Sequence, residues 1–86
     1  MKKKIAIIIY MRKVNLSLLE WAAVIKLKAP LAIGDTIKIK GHTTDFTQGI
    51  TSMQIDRTPI NQAKKGQEIG LLVNSRVRQH DLVYKA

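Results

Sequence analysis

The side chains in this 86-residue chain that could carry chemistry are two histidines, six carboxylates and fifteen lysines and arginines. His42, Thr44 and Asp45 lie close together in sequence and could be drawn as an acid/base or metal cluster. Two histidines, His42 and His80, among scattered carboxylates do not reproduce metal-ligand spacing. Cysteine is absent, so thiolate sites and disulfides are excluded. Thr44 and Asp45 fit a turn in which they hydrogen-bond backbone amides. A nucleotide-hydrolysing site would need Gly-x-x-x-x-Gly-Lys-Ser/Thr, so that amides and a lysine hold the phosphates, and the chain has no such motif. We therefore expect a non-enzymatic protein with no cofactor, no metal and no small-molecule substrate.

Charge is the strongest compositional signal. The excess of basic residues gives +9 at pH 7, which favours an anionic partner because basic side chains displace the counterions condensed on phosphates. The competing reading is a Lys-rich surface that keeps a small domain soluble. Lys26 and Lys28, and likewise Lys38 and Lys40, stand two apart, so each pair projects from one face of a strand. Arg57, Lys64, Lys65, Arg76 and Arg78 fall in connecting segments. Base stacking would need exposed aromatics. Tyr10 and Trp21 are the candidates, whereas Phe46 and Tyr84 read as core.

The elements that must position these residues are short and extended. Thr36 to Lys40 alternates polar and apolar side chains after a Gly34-Asp35 turn signal, the period-two pattern of a half-buried strand. Ile5 to Met11 is a β-branched run, and Ala22 to Leu27 a second strand ended by Pro30. Between them, Ser17-Leu18-Leu19-Glu20 has the form of a capping box, so the tip of this hairpin holds either a loop or one helical turn. Gly49 to Ile55 is a further strand, with Met53 and Ile55 facing the core. Gln67 to Asn74 places Ile69, Leu71 and Val73 on one face, and Leu82 to Tyr84 closes the chain. His42 to Gln48 reads as a polar connection anchored by Phe46, and Asp56 to Lys65 as an excursion touching the core through Ile60 and Ala63. Six strands with turns every eight to twelve residues predict an all-β single domain over 1–86, a six-stranded closed Greek-key barrel. The start, MKKKIAIIIYM, imitates a signal peptide, but its apolar run is cut by Arg12-Lys13. We expect no membrane span and a cytoplasmic location.

Several of these pieces fall in a recognisable order: Gly34-Asp35-Thr36-Ile37, Lys40-Gly41-His42-Thr43-Thr44-Asp45-Phe46, Ser52-Met53-Gln54-Ile55, Lys65-Gly66 and Asp81-Leu82-Val83-Tyr84. That order resembles the β-barrel second domain of translational GTPases, and more closely the small stand-alone translation elongation factor-like proteins. It is also similar to the barrel at the C-terminus of collagenase-like peptidase family proteins. The resemblance covers Ala22 to Ala86. Where those barrels usually have Gly before Asp in the last turn, this chain has His80-Asp81, at a cost of about 1 kcal/mol if the position is left-handed. The resemblance implies a barrel of the translation-factor domain II type that contacts RNA or the ribosome. On that basis Lys38, Lys40, Arg57, Arg76 and Arg78 are the candidate phosphate-binding residues. The alternative it implies is a protein-interaction accessory of a larger RNA-modifying or peptidase-like enzyme. A third reading is a structural domain that dimerises through the first hairpin and an exposed apolar edge.

Overall fold

A computed structural model describes residues 3–13 and 21–86. The proposed capping box and hairpin tip, Asn15 to Glu20, lie outside the described residues. The first hairpin is formed by β1 (Lys4–Lys13) and β2 (Trp21–Leu27). The strand-forming run of β1 continues through Arg12 and Lys13, which pair with Ala22 and Trp21. Next come β3 (Leu31–Ala32), β4 (Thr36–Lys40), β5 (Asp45–Gly49), β6 (Met53–Ile55) and β7 (Thr58–Ile60). The chain ends with β8 (Gln62–Ala63), β9 (Glu68–Val73) and β10 (Leu82–Lys85).

Eight of these strands make one antiparallel sheet in the order β5-β4-β10-β1-β2-β9-β6-β7, and β3 pairs separately with β8. The expected closed six-stranded barrel is thus replaced by a curled, eight-stranded half-barrel with two edges. Two strands absent from the sequence reading account for the difference. Asp45 to Gly49 looks like a polar connection because only Phe46 is apolar, yet it pairs with β4 along its whole length. Thr58 to Ile60 contains Pro59, which an edge strand tolerates because its outer side needs no N–H donor.

The curl follows from β1. Its register slips between Lys4 and Ala6 and again between Ile8 and Tyr10, and each bulge bends the strand and increases its twist. The concave face gathers Ile5, Ile8, Ile25, Ile37, Ile39, Ile69 and Val83, all essentially inaccessible. Each such side chain contributes roughly 1.5–3 kcal/mol relative to exposure. The small sheet adds Leu31 and Ala63 to the same core. Val77 also joins it, from the connection between β9 and β10, where the charged run Ser75 to Asp81 reads as a turn.

Gln48 fastens the β5 edge. It is 8% exposed, its Nε2 donates to the Leu72 carbonyl (3.0 Å), and its Oε1 accepts from the Asn74 N–H (2.8 Å). β6 pairs with β9 only as far as Met53–Leu71. Just beyond that point the side-chain amide supplies the donor and acceptor that a neighbouring strand would have given.

Candidate functional site

The bulge between Ile8 and Tyr10 has a second effect, on where side chains point. Without it, Tyr10 would follow Ile8 inward, two residues on. The extra residue turns Tyr10 to the convex face, where it is 57% exposed and opposes Val24. The row continues from Val24 to Gly70 and from Gly70 to Gln54. A parallel row runs from Arg12 to Ala22 and on to Leu72. Gly70 contributes no side chain, so a trough opens between these rows.

The trough encloses about 280 Å³ and is lined by Tyr10, Arg12, Val24, Leu72 and Arg57 around Gly70. It runs on into a second hollow of about 260 Å³ bordered by Asp56, Arg57 and Glu68. Two of the three large, exposed apolar side chains among the described residues, Tyr10 and Leu72, stand on this furrow. Its floor is aliphatic, with Arg12 on the β1 side and Arg57 on the β6–β7 side. The lining combines an apolar surface with two guanidinium groups, and the adjoining hollow adds the carboxylates of Asp56 and Glu68.

Arg57 owes its position to the β6–β7 turn. Ile55 pairs with Thr58, so Asp56 and Arg57 form a two-residue loop. Both have positive φ, 50° and 67°, the signature of a type I′ hairpin turn that glycine usually occupies at its second position.

The five residues expected to bind phosphate do not form one cluster. Lys38 and Lys40 project from β4, where Lys38 Nζ lies 3.6 Å from Asp45 Oδ1. Among the described residues Asp45 thus meets a lysine rather than a backbone amide. Arg76 stacks over Trp21, 5.9 Å from the ring centroid. That contact uses the indole face which the sequence reading offered to a base. Arg78 sits in the turn before β10, where its N–H donates to Asp81 Oδ2 at 2.8 Å. Of the five, Arg57 alone lines the furrow. Sequence reasoning missed Arg12, Gly70 and Leu72 as site residues. A glycine inside an alternating strand was the available signal. His42 and His80 are both exposed, and no group of three His, Asp or Glu side chains gathers among the described residues.

No protein-family profile matches the chain. Over 63 residues, 72% of its length, it is 44% identical to an uncharacterised protease of Methanocaldococcus jannaschii. The chain spans only 16% of that curated relative's length. Among solved structures, it is similar to the C-terminal domain of a Geobacillus thermoleovorans protein described as a U32 peptidase. The TM-score is 0.81 at 14% identity, covering 98% of this chain and 92% of that one. The selenomethionine variant of the same domain gives 0.79 at 14% identity, covering 96% and 99%. Likeness at this identity is likeness of fold: the half-barrel is the fold of the C-terminal domain of that U32 peptidase-type protein.

Proposed function

We propose that the chain is a non-catalytic accessory module that works with a larger peptidase-like polypeptide, binding through its surface. One observation carries this reading. The curated match is confined to a small fraction of a protease, and the solved likeness is to an isolated terminal domain that this chain covers nearly end to end. A furrow with an aliphatic floor and two arginines supports binding rather than bond-breaking. The test is affinity purification of the tagged chain from its own host after nuclease treatment, with the recovered proteins identified by mass spectrometry. A U32 peptidase-type polypeptide is expected. Recovery of the chain alone overturns the proposal.

A second reading is favoured by the net charge of +9 and by the order of motifs that resembles translation-factor barrels. In it, Lys38, Lys40, Arg57, Arg76 and Arg78 contact RNA phosphates on a ribosomal or transfer RNA. Its signature is retention on RNA that falls steeply with salt. Partners that disappear on nuclease treatment would move the balance to this reading.

A further inference from the structure

Two residues of the furrow depart from what the fold alone would select, in opposite directions. Gly70 lies inside β9 with no positive φ, and a Cβ built there would meet nothing nearer than Gln54 Cγ at 3.5 Å. That is ordinary van der Waals contact, so the backbone makes no demand for glycine and a strand is weaker for having one. Arg57 is the reverse case, an arginine with φ 67° at a turn position where glycine would relieve strain. Strain that persists at a surface turn points to a use for the side chain. An open floor and a retained arginine converge on the same hollow.

We infer that the furrow over Gly70 is the docking site for an extended acidic segment of the partner polypeptide, which seats one apolar side chain on Val24 and Leu72 and sets carboxylates against Arg12 and Arg57. This rests on the accessory-module reading. The volume of about 280 Å³ suits a single side chain and its backbone. The ion pairs found among the described residues are Lys38–Asp45 and Lys85–Asp35, so neither furrow arginine forms one with a described residue, and the carboxylates of Asp56 and Glu68 border only the adjoining hollow. A second copy of the chain is a poor occupant, because both surfaces would bring the same excess positive charge. A nucleobase would stack on an aromatic floor, and this floor is aliphatic apart from the Tyr10 wall.

The test is a titration of the isotopically labelled chain, followed by amide NMR shifts. The probes are an acetylated hexapeptide alternating glutamate and leucine, hexaglutamate, and a six-nucleotide oligothymidylate. The alternating peptide should shift the amides of Val24, Gly70 and Leu72 and bind about tenfold tighter than hexaglutamate. Gly70→Val should abolish that binding while keeping a native circular dichroism spectrum. Arg57→Gly should raise the melting temperature and weaken binding about fivefold or more, whereas Lys64→Gln, outside the furrow, should leave it unchanged. Equal affinity for hexaglutamate, preferential oligothymidylate binding at these amides, shifts elsewhere on the barrel, or full affinity in a folded Gly70→Val protein would each overturn the inference. The two proposals fail separately. If Gly70→Val and the unaltered chain recover the same peptidase-type polypeptide from the host, the furrow is not its site and the accessory role stands. If neither recovers it, the accessory role falls, and the peptide titration still decides what the furrow binds.

Discussion

Gly41 ends β4 directly against the buried carboxylate of Asp81, which is 5% exposed. A Cβ at Gly41 would run into that carboxylate, with Asp81 Cγ only 2.6 Å away. The carboxylate cannot easily yield, because its Oδ2 accepts from the Arg78 N–H and the Asp81 N–H donates to the Arg78 carbonyl. Gly41→Ala should therefore destabilise the fold by about 1–3 kcal/mol, the usual cost of overpacking. For a domain of this size that lowers the melting temperature by roughly 4–8 °C per kcal/mol. An unchanged melting curve would mean that the turn shifts freely. The neighbouring His80 brings Asp81 into place with φ 75°, so the condition for a left-handed cost at this position is met. His80→Gly should raise stability by about 1 kcal/mol, read as a higher urea midpoint, since the left-handed cost is removed. A lower midpoint would show that the imidazole contributes something the backbone geometry does not reveal.

Among the elements, β5 is held at its outer edge by a side chain, and this makes a sharp prediction. Gln48→Ala strips the partners from the Leu72 carbonyl and the Asn74 N–H, and leaving such groups unsatisfied costs about 1–3 kcal/mol. Hydrogen exchange should accelerate at Asn74 and along β5 before it does so in β1 and β2, and uniform acceleration would refute the clasp. The same glutamine shows why the sequence disclosed six strands of the main sheet but not β5. Thr36 to Lys40 and Glu68 to Val73 announce themselves by alternation, because one face of each is dry. β5 carries Phe46 and Gln48 among polar residues, and its inward amide satisfies a buried edge rather than filling an apolar core. No local pattern encodes that role. The site was hidden for a related reason. Tyr10 faces outward only because of a bulge within an unbroken apolar run, and the register slip depends on partners distant in sequence. Arg57 was visible as a basic loop residue, but its strained turn and its proximity to Gly70 required the fold.

For the whole molecule, the decisive quantity is the imbalance of fifteen basic residues against six acidic ones. The described residues span 32 × 31 × 21 Å. At about 0.01 M salt the screening length is roughly 30 Å, so nearly every charge feels every other and the basic excess makes the sum repulsive; at about 0.15 M it shrinks to roughly 8 Å and only neighbours interact. Self-repulsion of this kind destabilises a compact state more than an expanded one. The opposing attraction is small, because Lys38–Asp45 and Lys85–Asp35 are both 3.6 Å pairs with partly exposed side chains, and such pairs contribute little. Added sodium chloride should therefore raise the melting temperature by several degrees between these two concentrations and then level off. A docked acidic segment would relieve the same repulsion locally, so the salt-induced rise should be smaller with the alternating glutamate–leucine peptide bound. A melting temperature that falls on adding salt would show that attractive pairs govern the field of the free domain, and the furrow arginines would then lose the electrostatic reason for seeking a carboxylate.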